Sequence, residues 1–298
     1  MTISVSAEIG EGKTNTEKLT NAAPTNIAKI IKRPARTKIA KKQLFLNYKG
    51  GTGKTSVSAA YSYYLAQMGN RVLMIDLDAQ AHLTACLNQE SIRHDEGLYS
   101  VIVNEKRLSE IIVNTSIPKL NLVPSSISLS ALELPLFRMP LREYRLRKVL
   151  KSVEREYDYI IIDSAPSIGL LSLNAILASN EILIPLLADF LSFHGLKILL
   201  ETLASIEKDF SYYVDKIHIF LNRYNADYSI CKECQEAIYK FYPEYSLKTV
   251  IRESQEIIDA SSMGKSVFEL YPNSKVAEDI KNLVKEVNGF NNEAREEK

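Results

Sequence analysis

The run NYKGGTGKT, residues 47–55, constrains this chain more than any other stretch, because glycines spaced this way before a lysine and a hydroxyl residue let backbone amides wrap a phosphate. The usual pattern, G-x-x-x-x-G-K-[ST], asks for a glycine five residues before Gly53; Tyr48 stands there, and Lys49 follows it. The loop thus carries a lysine at its mouth as well as Lys54. Upstream, QLFLN reads as a buried strand; downstream, residues 56–68 have helical period and end at Gly69. Strand, glycine turn and helix in that order make Gly50, Gly51, Thr52, Gly53, Lys54, Thr55 and Ser56 the expected nucleotide-binding residues. Lys54 should reach the terminal phosphates and the Thr55 hydroxyl should bind Mg²⁺.

Magnesium binds through one or two carboxylates plus phosphate oxygens. Two apolar strands end in acids: VLMIDLDAQ places Asp76 and Asp78 at one strand end, and YIIIDSAP places Asp163 at another. A lone acid closing a buried strand is costly, so a metal or a water network is its expected partner. Taken singly, each acid could also be a helix cap or a surface turn.

From residue 43 onward, the β-branched runs QLFLN, RVLMIDL, LNLVP, YDYIIID, EILIPLL, KIHIFLN and LKTVI alternate with stretches of helical period. This alternation predicts an α/β fold with a doubly wound, mostly parallel sheet and helices on both faces. The expected organisation is a basic extension over 1–42, one domain over 43–288 and a polar tail over 289–298. The extension holds seven Lys or Arg and no acid between residues 29 and 42, a footprint for a polyanion or a solvated tail. The longest apolar run, EILIPLLADFL, is broken by Pro185 and Asp189 well short of the roughly 20 residues a bilayer span needs. With three cysteines and no visible secretory signal, the expected compartment is the cytoplasm.

The runs NYKGGTGKTS, RVLMIDLDAQ, LNLVPSS, YDYIIIDSAPSIGLLSLNAI and EILIPLLADFLSFHGL together resemble the ParA-type partition ATPases of the wider MinD/ParA group, over about residues 43–288. The resemblance implies an ATPase, slow until stimulated, with ATP and Mg²⁺ as cofactors and an ATP-dependent sandwich homodimer. It implies that Lys49 reaches the phosphates held by the other subunit, which assigns the second lysine to the partner's site. It also implies that Asp78 positions the attacking water, that Asp163 holds Mg²⁺ through water, and that Asn222 lies near the adenine, where the alternative is a strand-end turn residue. Nonspecific duplex DNA is implied as a partner, with Lys240, Lys248, Arg252 and Lys275 as candidates by position, each also readable as an ordinary solvated side chain. A ParB-like centromere-binding or adaptor protein is implied as the stimulator, with association to the nucleoid.

Ala79, His82, Ala165 and the pair Arg252-Glu253 stand where the family usually has proline, asparagine, proline and proline-arginine. None removes a phosphate or metal ligand, but they put the adenine contact and the DNA contact near residue 252 in question. Three alternatives remain open at this stage. A ParA-like positioner of a protein cargo shares the engine. An iron-sulfur carrier could use Cys231 and Cys234 in CKEC. A membrane-bound relative would need AEDIKNLVKEVNGF to lie in a lipid interface, whereas packing on the body is the expected role.

Overall fold

The computed structural model describes residues 39–87, 97–103 and 105–290. The expectations for residues 1–38 and 291–298 lie outside the described residues. The strands are β1 (Lys41–Phe45), β2 (Val72–Leu77), β3 (Val113–Asn114), β4 (Leu120–Val123), β5 (Tyr159–Ser164), β6 (Glu181–Leu187), β7 (Lys216–Tyr224) and β8 (Ile251–Arg252). They form one sheet in the order β3-β4-β2-β5-β1-β6-β7-β8. Every pairing is parallel except β3 with β4 at one edge.

Side chains along each strand alternate between two cores, one on each face of the sheet. Leu44, Ile75, Ile160, Ile162, Ile184 and Leu221 point to one face. Phe45, Met74, Ile161, Leu183 and Phe220 point to the other. Burial on both faces explains why the strands read as continuous apolar runs rather than alternating ones. Leu44 is fully buried, so truncating it to alanine should cost about 2–5 kcal/mol.

The helices are α1 (Lys54–Gln67), α2 (His82–Cys86), α3 (Leu98–Ile102), α4 (Glu133–Phe137), α5 (Arg145–Leu150), α6 (Leu170–Ala178), α7 (Phe190–Phe210), α8 (Ser229–Phe241), α9 (Gln255–Ser262), α10 (Val267–Leu270) and α11 (Lys275–Asn288). Helix α1 ends at Gly69, whose φ of +96° turns the chain back toward β2. Helix α11 buries Val276, Ala277, Ile280, Leu283, Val284 and Val287 in the same core as α1, so its apolar face is used by the body. Among the described residues no helix is long and apolar enough to cross a membrane.

The structure corrects two boundaries. Strand β1 starts at Lys41, so the cut expected between residues 42 and 43 falls inside it. Lys41 and Lys42, counted with the basic extension, sit in the sheet and pair with Glu181 and Glu154, each at 2.8 Å. At the other end Gly289 caps α11 in the left-handed conformation and the Phe290 amide closes on the Lys285 carbonyl, so the folded unit runs two residues past 288.

The connection from β1 runs through α1 to β2 on one side of β1, and the connection from β6 runs through α7 to β7 on the other side. A crevice therefore opens at the carboxyl ends of β1 and β6, the place where open α/β sheets bind ligands.

Candidate active site

The glycine loop fills that crevice, between β1 and α1. Its base is tied to β6: the Leu46 amide donates to the Leu183 carbonyl at 3.0 Å, and Asn47 Nδ2 donates to the Pro185 carbonyl at 2.8 Å. Gly53 is required twice over. Its φ is +83°, and a Cβ there would lie 2.2 Å from Asn222 Nδ2. Asn222, at the end of β7, is buried and donates to the Thr52 carbonyl at 2.7 Å. The structure thus places Asn222 beneath the loop as a strut, where it shapes the phosphate cradle from behind.

Lys54 is buried with its ammonium 3.4 Å from the Lys49 carbonyl. Burial lowers its pKa, opposed by the charges of Asp163 and Asp78. Thr55 Oγ1 donates to Asp163 Oδ2 at 2.6 Å. Asp163 lies level with Asp76 across β5 and β2, and with Phe45 at the end of β1. Two carboxylates side by side in a dry site resist ionising together: burial and the Asp76 charge push Asp163 up to about 7. Burial also pushes Asp76 up to about 6, although its carboxylate accepts from the Thr84 amide, the Thr84 hydroxyl and the Asp78 amide.

Asp163 Oδ1 is buried with no hydrogen-bond partner. An orphaned carboxylate oxygen beside a threonine hydroxyl and a second acid is the donor set of an oxygen-loving divalent cation, so these residues fit Mg²⁺. Asp78 is only half-buried and its Oδ1 accepts from the Gln80 amide at 2.9 Å, which holds its carboxylate at the open side of the strand end. His82 is exposed at the start of α2.

Lys49 stands outside the cradle. Its ammonium bonds Asp189 Oδ2 at 2.8 Å, Asp189 Oδ1 at 3.1 Å and Ser192 Oγ at 2.9 Å. In the sequence Asp189 shows only as a charge that interrupts an apolar run. The signal that could have found it is the serine three residues on, since Asp189 caps α7 by accepting from the Ser192 amide at 2.7 Å.

The DNA candidates are spread over several elements. Lys240 ends α8 with its ammonium over the Phe241 ring, Lys248 lies near the carboxyl half of α11 through its amide bond to Glu286, and Lys275 is exposed at the start of α11. The Arg252 guanidinium is committed to Asp279, by bonds of 2.7 and 2.8 Å, so it is a structural pair before it is anything else. Cys231 and Cys234 are both buried on the inner face of α8. Thiols turned into the body are poorly placed to bridge a cluster to a second subunit, so the structure lends the iron-sulfur alternative no support.

A protein family described as an AAA domain matches residues 40–217. The cell division protein PomZ of Myxococcus xanthus is 46% identical over 244 residues, covering 82% of this chain and 76% of PomZ. The sporulation initiation inhibitor protein Soj of Bacillus subtilis is 34% identical over 241 residues, 81% of this chain and 95% of Soj. Among solved structures, an ATP complex of McdA from Cyanothece superposes with a TM-score of 0.78 at 25% identity, over 85% of this chain and 98% of that one.

Proposed function

The chain belongs to the ParA/MinD family of partition ATPases, and from that premise we propose that it is a Mg²⁺-dependent ATPase that closes on ATP into a homodimer and thereby positions a cargo. The observation that carries this reading is the division of labour between the two lysines. Lys54 is buried inside the cradle, whereas Lys49 lies outside it on the open face. A cation outside its own cradle is placed to act on phosphates brought by another subunit, as an arginine finger does.

The rim of the crevice supports closure. Ile168 (67% exposed) follows β5, and Phe190 (76%) and Leu191 (70%) follow β6, the two strands that flank β1. Large apolar side chains this exposed around a nucleotide site mark a surface that a partner covers. In the proposed cycle Thr55, Asp163 and Asp76 would hold Mg²⁺, which when bound would neutralise charge on the terminal phosphates. Lys54 orients the phosphates, Asp78 positions the attacking water, and Lys49 of the second subunit completes the site. The closed dimer binds duplex DNA without sequence preference, through exposed lysines such as Lys240, Lys248 and Lys275, and a stimulating partner resets it by triggering hydrolysis.

The 46% identity to a cell division protein, against 27% to a chromosome-partitioning ATPase, favours a role tied to cell division over one in chromosome partition. The test of the shared site is complementation. Lys49→Ala and Asp78→Ala are each expected to be inactive alone. In their mixed dimer, one site combines an intact Asp78 with a Lys49 from the other subunit, so equimolar mixing restores turnover. If Lys49 served its own subunit, no site in the mixture would be whole and turnover would stay absent.

A further inference from the structure

A cleft of about 150 Å³ opens at the carboxyl ends of β2 and β5, walled by the loop after β5 and by the starts of α4 and α6. Among the described residues that line it, Asp78 and Glu133 are the only carboxylates, and no cationic side chain joins them. Asp78 is half-buried where β2 ends, whereas Glu133 is exposed in the first turn of α4, so the two acids lead from the strand ends toward solvent. The walls between them carry hydroxyls. Ser130 Oγ donates to the Ile127 carbonyl and Ser164 Oγ to the Phe45 carbonyl, each at 2.7 Å, and Ser172 Oγ donates to the Ser167 carbonyl at 2.5 Å. With their protons committed to the backbone, these oxygens offer acceptor lone pairs, and a polar space of this volume has room for a short chain of waters. Gly169 makes space for the outer acid. Its φ of −173° is extended backbone that any residue adopts, but a Cβ there would lie 2.8 Å from Glu133 Oε1. Among the described residues Glu133 has no hydrogen bond or ion pair, so no structural partner claims its carboxylate.

We infer that Glu133 carries away the proton released by hydrolysis, taking it from Asp78 through water in this cleft and passing it to solvent. The inference rests on Asp78 acting on the attacking water. In the step, the water oxygen bonds to the terminal phosphorus of ATP as the bond from that phosphorus to the bridging oxygen of ADP breaks. The proton the water sheds goes to the Asp78 carboxylate, crosses bridging water to the Glu133 carboxylate and leaves to bulk solvent, which restores both acids. Proton transfer through one intervening water is within the reach of a positioned carboxylate. The cleft matters because of closure: once a second subunit covers the rim of the crevice, Asp78 needs a route to solvent that does not cross the nucleotide. Glu133 touches no reacting atom. It is a positioning residue that acts through Asp78.

The test is phosphate formation in a single turnover of the full chain saturated with Mg²⁺ and ATP. Glu133→Gln keeps the shape of the side chain and removes its ability to take a proton, so the rate should fall about tenfold with ATP affinity and melting temperature unchanged, and the solvent deuterium isotope effect should rise because proton exit becomes limiting. Glu133→Asp, which keeps a carboxylate, should recover part of the rate. Glu133→Ala leaves the cleft open to a small acid, so added formate should restore its turnover in proportion to concentration while doing nothing for Asp78→Ala. Gly169→Ala, which crowds the Glu133 carboxylate, should slow turnover in the same direction by less. An unchanged rate in Glu133→Gln overturns the proposal. So does a slow Glu133→Gln that melts early, or a Glu133→Ala that formate does not rescue, since either makes the residue structural. Asp78→Ala separates this inference from the reading beneath it. If Asp78→Ala turns over normally, the role of Asp78 is wrong; if it is inactive while Glu133→Gln is unaltered, only the relay is wrong.

Discussion

The two ends of the central sheet each bury carboxylates, and they treat them in opposite ways. At the carboxyl end Asp76 and Asp163 lie side by side, the hydrogen bonds that Asp76 accepts come from neutral groups, one Asp163 oxygen has no partner, and Asp163 is pushed up to about 7. At the amino end Glu181 is just as buried but surrounded: Lys41 Nζ lies at 2.8 Å, Gln43 Nε2 donates at 2.8 Å, and His218 Nε2 lies at 3.5 Å. Burial opposes its ionisation, yet the contacts with His218, Lys41 and Gln43 outweigh that and bring Glu181 down to about 2. The network continues from Gln43 through Tyr61 to Asn288, joining β1, β6, α1 and α11. Burial alone does not set the state of a carboxylate; whether a cation or a second carboxylate faces it does. The satisfied end ties the fold together, and the unsatisfied end is left for a ligand.

The largest expected effect separates the ends by function. Asp78→Ala should lower turnover by about 10²–10⁴-fold while the melting temperature of the nucleotide-free protein hardly moves. Steady-state phosphate release beside a thermal melt reads both, and a variant that turns over normally would remove Asp78 from the chemistry. Glu181→Ala should do the reverse. It leaves the buried His218 without its carboxylate and removes the acceptor that Lys41 and Gln43 share, and should cost about 1–3 kcal/mol in chemical denaturation, with ATP affinity of the folded fraction unchanged.

A smaller effect has the opposite sign. Asp163→Asn removes a charge that the fold disfavours, so without metal the variant should be more stable by about 1–2 kcal/mol at pH 8 while losing its Mg²⁺-dependent affinity for ATP. If it is less stable than the unaltered protein, Asp163 is structurally satisfied in a way the geometry does not show.

The smallest effect is in pH. Glu181 titrates below its ordinary value, so its stabilisation is complete above about pH 4.5 and is lost as pH falls toward 2. Asp163 and Asp76 titrate above theirs, so each is easier to bury protonated. Stability of the metal-free protein should decline as pH rises from about 4 through 6 and 7, and added Mg²⁺ should flatten that decline. Melting temperatures across this range, with and without Mg²⁺, would show two arms if the ends behave independently. A single arm would mean they are coupled through β1.

Much of this was legible in residue order. The glycine loop, the acids closing β2 and β5 and the apolar runs of a doubly covered sheet are local patterns, because backbone geometry at a phosphate and burial on both faces of a strand each act over a few neighbouring residues. The two-residue antiparallel strand β3 left no such pattern, being too short to show a period.

What the sequence determined by itself was therefore the type of site and the type of sheet. Tertiary structure decided the partners of individual charges. Lys41 and Lys42 looked like the end of a basic tail until β1 set them against Glu181 and Glu154, 140 and 112 residues away. Asn222 carried no sign in the sequence of the bond it makes to the Thr52 carbonyl, 170 residues away, once β7 is in place. Lys49 met Asp189 only because β1 and β6 are neighbours in the sheet. A charge carries no mark of its counterion, since Coulomb and hydrogen-bond energies depend on distances that chain closure alone creates.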